Sequence, residues 1–179
     1  MLKTIALVVI SLIAVLLIYA TTRPDTFSVQ RQIRVKAPPD KIFPLLTDFH
    51  SWSEWSPWEK LDPAMKRTFS GAANGKGAVY AWDSAGKAGT GRMEILEAPP
   101  PGPSSSKVVI QLDFMKPFEA HNTAEFTLQP HGDTTEIIWV MHGPALFISK
   151  VMGIFFNMDK MIGADFETGL ANLKGIAEK

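Results

Sequence analysis

Six side chains in this sequence are of a type that could carry acid/base chemistry: His121, His142, Arg92, Glu94, Glu125 and Asp165. That chemistry would need one of them inside an apolar pocket, where burial moves a pKa towards neutrality. No two stand at a spacing that specifies a dyad. Arg92 and Glu94 share a parity opposite Met93 and Ile95, which reads as an exposed stripe on a strand, with an inward orientation as the alternative. His142 closes an apolar run and reads as a structural or surface residue. His50, His121, His131 and His142 are scattered, and neither an HExxH motif nor a cysteine occurs. No metal site, disulfide or thiol nucleophile is therefore expected. Gly75-Lys76-Gly77 and Gly89-Thr90-Gly91 lack the strand-to-helix setting of phosphate loops and read as turns or bulges. No catalytic residue is assigned, and no cofactor is expected.

Aromatic residues are more informative. The segment Asp48 to Trp58, DFHSWSEWSPW, holds three of the five tryptophans. Trp52, Trp55 and Trp58 lie three apart, so a turn or short helix before Pro57 would bring the first two onto one side. Such rings either cap a core where helix and sheet meet or form a gate facing a ligand or a membrane.

These residues need elements to position them. From Leu146 to about Ala177, Val151, Phe155, Met158, Ile162, Phe166, Leu170, Leu173 and Ile176 recur every three or four residues. This spacing predicts one long amphipathic helix, with Lys150, Asn157, Lys160, Glu167, Thr168, Lys174 and Glu178 largely on its wet side. Unbroken, it would be about 45 Å long. Gly153 or Gly163 marks a kink or a close approach to the backbone. Upstream, Phe27 to Val35 alternates as a first strand, and Ile42, Phe43, Leu45 and Leu46 form a short helical stripe starting near Pro39 or Asp40. Strands are then predicted at Thr68–Phe69, Ala78–Trp82, Arg92–Leu96, Val108–Phe114, Ala124–Leu128 and Thr135–Met141, separated by turn residues at Asp83–Gly89, Pro99–Pro103 and Pro130–Asp133. An antiparallel sheet with one apolar face must cover it, and the last helix carries the large apolar stripe available. The sheet should wrap that helix. The set facing inward would be Trp82, Met93, Phe114, Phe126, Trp139, Met141, Phe155, Ile162 and Phe166, with Trp52, Trp55 and Trp58 nearby. Periodicity leaves open whether they enclose a cavity or a packed core.

At the other end, Thr4 to Thr22 is almost purely apolar, with Lys3 before it and Arg23 and Pro24 after it. Its length suits a bilayer span better than the roughly 7–15 residues of a cleaved signal core, and an uncleaved anchor is expected over residues 1–23, with a signal segment as the alternative. Lys3 and the terminal amine, set against Arg23 and Asp25, favour an exported domain. Residues 24–26 read as a linker and 27–179 as one domain. Eighteen basic residues balance eighteen acidic ones without a basic patch, which excludes nucleic acid as an expected partner.

The segments F27-S-V-Q-R-Q-I-R-V-K-A-P-P-D-K-I-F-P-L-L-T-D-F-H-S-W-S-E-W-S-P-W58, G75-K-G-A-V-Y-A-W82, G89-T-G-R-M-E-I95, T135-E-I-I-W-V-M-H-G143 and D165-F-E-T-G-L-A-N-L-K174 resemble the polyketide cyclase/dehydrase branch of the START-like (SRPBCC) superfamily, from Phe27 to the C-terminus. The resemblance implies an α+β helix-grip fold: a curved antiparallel sheet of about seven strands around a long C-terminal helix, with a hydrophobic cavity between them. Members differ in function, so the resemblance leaves three readings. The first is a membrane-anchored domain binding a lipid or other hydrophobic small molecule, with the bilayer as a partner through residues 4–22. The second is a cyclase/dehydratase-like enzyme on a hydrophobic or aromatic substrate. The third is a non-catalytic envelope or stress-related interaction domain whose cavity is filled.

Overall fold

The computed structural model describes residues 1–86 and 88–179. Helix α1 (Leu2–Thr21) leads into strand β1 (Thr26–Val35). Helices α2 (Pro39–Thr47) and α3 (Trp52–Trp55) follow, with 3₁₀ turns at Phe49–Ser51 and Pro57–Lys60. Six further strands come next: β2 (Lys66–Gly71), β3 (Ala78–Asp83), β4 (Thr90–Glu97), β5 (Ser106–Lys116), β6 (Ala120–His131) and β7 (Thr134–Pro144). Helices α4 (Phe147–Phe155) and α5 (Met158–Ala177) end the chain. The turn expected over Asp83–Gly89 includes Lys87, which lies outside the described residues.

The strands form one antiparallel sheet in the order β1-β7-β6-β5-β4-β3-β2, so β2 to β7 are a meander and β1 closes onto the last strand. Side-chain alternation sets the faces. On β7, Thr135, Ile137, Trp139 and Met141 are buried while Glu136, Ile138 and Val140 are half-buried, and β6 repeats the pattern with Asn122, Ala124, Phe126 and Leu128 inward. The sheet curves around α5, which buries Phe166, Leu170, Leu173 and Ala177. Polar groups fix α5 along β1. The Arg31 guanidinium donates to Glu167 at 2.7 Å and to Asp159 at 3.1 Å, Lys174 Nζ donates to the Arg34 carbonyl, and Glu178 accepts from the Lys36 amide. Gly163 makes room for this clamp, since a Cβ there would sit 1.8 Å from Arg31 Nη2.

The C-terminal stripe is not one helix. It breaks at Phe156–Asn157, where both residues are extended, because the Asn157 side chain caps α5 by accepting the Lys160 amide proton at 2.9 Å. The break is neither at Gly153 nor at Gly163. Its consequence is large: the stripe is buried at Phe166, Leu170 and Leu173 and half-buried at Ile176, but Phe155 and Met158 are exposed and Lys150 is tucked inward against Asp25. The turn after α2 follows sequence logic more closely. Trp52 and Trp55 pack with ring centroids 4.8 Å apart and planes tilted by 53°, and their indole N–H groups donate to the Leu46 and Leu45 carbonyls at the end of α2, where helix carbonyls otherwise lack partners. Pro44 lies inside α2, beyond its first turn.

Candidate functional site

Between the sheet and α4–α5 lies a cavity of about 960 Å³. Its wall is built from positions chosen by strand parity. Trp82 on β3, Met93 on β4, Leu112 and Phe114 on β5, Asn122 and Ala124 on β6, and Trp139 and Met141 on β7 all project inward. Trp52 and Trp58 close one side, Ile162 and Phe166 of α5 form the roof, and Phe155, Phe156 and Met158 stand at the helix break. Trp139 lies face to face on Phe166, with ring centroids 3.9 Å apart and planes 4° apart. Trp82 lies flat against its own sheet because β4 has glycine opposite it: a Cβ on Gly91 would be 2.3 Å from the indole ring.

Of the side chains expected to face a ligand, Trp82, Met93, Phe114, Trp139, Met141, Phe155, Ile162, Phe166, Trp52 and Trp58 border this space. Phe126 and Trp55 do not. Both are fully buried and meet edge to face at 6.1 Å, behind the Trp139 wall. Phe126 has the right parity but sits too far along β6, beneath α3, where the space is filled by tryptophan.

The acid/base candidates fall elsewhere. Arg92 and Glu94 pair with each other on the outer face of the sheet, and Glu125 pairs there with Lys107 and lies 3.7 Å from His142. His121 lies beside Asp113 at 2.8 Å, and that hydrogen bond raises the imidazole pKa above its ordinary value. Asp165 borders the cavity but is exposed.

The polar groups in the wall are different ones. Glu59 is nearly buried, accepts the Tyr80 hydroxyl at 2.6 Å through one carboxylate oxygen, and accepts Arg67 Nε at 2.6 Å through the other. Burial, then the hydrogen bond to Glu59, pushes the Tyr80 phenol upward, so it remains a donor at ordinary pH. Two further buried atoms in wall residues, Asn122 Oδ1 and Trp139 Nε1, have no protein partner. Neither atom is open to a water-sized molecule, and Asn122 Oδ1 sits against Gly143, so both lie behind the wall surface rather than in it. Sequence offered one signal for these, the shared parity of Asn122 with Ala124 and Phe126. Glu59 lay in a polar stretch, and its partners 8 and 21 residues away are brought to it only by the fold. Glu59→Ala is expected to cost roughly 2–3 kcal/mol, because it strands Tyr80 and Arg67 together. Chemical denaturation checks this, with Glu59→Gln, which keeps an acceptor for Tyr80, losing less.

Comparison with known proteins agrees with this architecture. A family profile described as "Polyketide cyclase / dehydrase and lipid transport" matches residues 26–178. No curated protein sequence matches the chain. Among solved structures, a protein from Chromobacterium violaceum superposes with a TM-score of 0.58 at 15% identity, covering 88% of this chain and 99% of its own. A hypothetical protein from Helicobacter pylori gives 0.63 at 10% identity, with 84% and 88% coverage. The Aha1 dimer from Colwellia psychrerythraea gives 0.53 at 16% identity, with 85% and 96% coverage. At these identities the likeness is one of fold alone, the helix-grip arrangement of sheet and C-terminal helix. The profile, matching nearly the whole chain after α1, shows that the protein belongs to the polyketide cyclase/dehydrase and lipid-transport family.

Proposed function

We propose that residues 27–179 bind a lipid or another apolar small molecule with one polar end, held at a membrane by α1. The observation that carries this reading is the cavity itself. About 960 Å³ lined by tryptophan, phenylalanine and methionine is at the upper end of the volumes that small-molecule sites use, and such side chains adapt to irregular apolar ligands. The Glu59–Tyr80 pair would meet the polar end. Binding without turnover is favoured because both Glu59 oxygens are occupied by Tyr80 and Arg67, leaving no free base at that place in the wall. Helix α1 is long and apolar enough to cross a bilayer, with a mean hydropathy of 2.7. We read it as an uncleaved single-pass anchor over residues 1–23, with the domain on the exported side.

Four of the five tryptophans, Trp52, Trp58, Trp82 and Trp139, border the cavity, so they report on its occupancy. With the full chain in phosphatidylcholine nanodiscs, cis-parinaric acid is expected to accept energy from tryptophan in a saturable, one-to-one manner that oleate reverses. A linear rise without saturation would show partition into the bilayer only and would contradict the reading.

A further inference from the structure

Helix α4 is amphipathic the wrong way round for a protein surrounded by water. Its side towards the cavity carries Ser149, Lys150, Gly153 and Ile154, and Lys150 is nearly buried against Asp25. Its outer side carries Phe147, Ile148 and Met152, none of which borders the cavity and each of which is 44–49% exposed. Met161, just beyond the helix break, is also exposed, at 57%. A surface helix normally turns its apolar stripe inward and its polar residues out. Here the usual order is reversed.

The neighbouring element says what covers this face. Helix α4 packs against α1. Within α1 the residues shielded from solvent are Leu16 and Ala20, one turn apart and close to the helix end at Thr21. From Leu16 to Thr21 the helix rises roughly 8 Å, which matches the depth of about 5–10 Å at which interfacial helices lie. The same place is the mouth of the cavity, bordered by Arg23, Pro24 and Phe155. We propose that α4 lies in the membrane–water interface with Phe147, Ile148 and Met152 in the acyl boundary, so that the cavity opens directly onto the bilayer. An amphiphile would then pass between bilayer and cavity without crossing water, entering beside Phe155 at the extended break before α5. The proposal rests on α1 being retained as a span; it does not depend on any ligand being bound.

The absence of cysteine makes the test clean, since one introduced thiol is unique. Three single variants of the full chain, Leu12→Cys in α1, Met152→Cys in α4 and Asp133→Cys in the turn between β6 and β7, are spin-labelled and reconstituted in phosphatidylcholine vesicles. The turn lies at the opposite end of β7 from Pro144, about 35 Å away by strand length. Collision with oxygen relative to a water-soluble nickel chelate is expected to be several-fold higher at positions 12 and 152 than at position 133. Nickel access at 152 equal to that at 133 would overturn the proposal. So would shielding of 152 from both reagents, which would show that protein, a second copy or another chain, covers α4. Water access at 12 would remove the span and the proposal with it. A domain that binds no apolar ligand changes none of these ratios, so the two readings fail separately. Ile148→Cys repeats the measurement in case the label at 152 disturbs α4.

Discussion

Trp139→Ala is expected to destabilise the domain by about 3–5 kcal/mol, the range for removing a large aromatic from a packed interior, and to lower Tm by roughly 10 °C or more. The indole is almost wholly buried and is surrounded by rings: Phe166 at 3.9 Å, Phe126 at 4.7 Å, Trp58 at 5.6 Å and Trp55 at 5.7 Å. It is therefore where the sheet, the tryptophan turn and α5 meet. No single neighbour can refill the space, because each is fixed by its own element; the void adds to the existing cavity. Phe155→Ala is the control. That ring is 64% exposed at the cavity rim, and its loss should change stability by no more than about 0.5 kcal/mol. Thermal unfolding of the full chain in detergent, followed by circular dichroism, separates the two. Similar losses at both positions would mean that the core does not centre on Trp139.

Ala124→Trp is expected to abolish uptake of an apolar ligand while leaving the fold intact. Ala124 stands on β6 between its register partners Ile110 and Met141, and its methyl group faces the cavity. A large ring there would project from the sheet wall into the cavity and take up part of the proposed site. If the space were instead a tightly packed core, the same change would be an overpacking error costing about 1–3 kcal/mol or more. Stability and binding thus move oppositely under the two descriptions. Parinaric acid transfer lost at nearly unchanged Tm supports a cavity, and a large fall in Tm contradicts it.

Much of this architecture was legible in the sequence, for reasons that can be named. From β3 to β7 the alternation along each strand separates inward from outward residues, which puts Trp82, Met93, Phe114, Trp139 and Met141 on one face. Phe126 and Trp55 share the signals of their neighbours, yet lie behind the cavity, because parity gives the face of a strand and not how far along it the space stays open. Glu59 carries no such signal, standing in the polar stretch from Glu59 to Lys66: its burial depends on Arg67 and Tyr80 reaching it from β2 and β3. The helix break has a sequence signal of its own. Asn157 is a strong cap residue in the midst of an apolar stripe; of the two glycines expected to mark a kink or a close approach, neither kinks the helix, Gly153 faces open space, and Gly163 is the close approach, by the Arg31 guanidinium. Lys150 was assigned to a wet face because amphipathicity rules assume water outside the molecule. On α4 the observed order is the reverse, with Lys150 inward and Phe147, Ile148 and Met152 outward.

The account stands or falls on the cavity holding a ligand. The most direct measurement is native mass spectrometry of the full chain released from its own membranes in detergent, with organic extraction of whatever it carries. The expected result is one defined lipid or other apolar molecule per chain in the native protein and none in Ala124→Trp. A native chain that is folded and empty, or one whose bound mass is unchanged by Ala124→Trp, would contradict it.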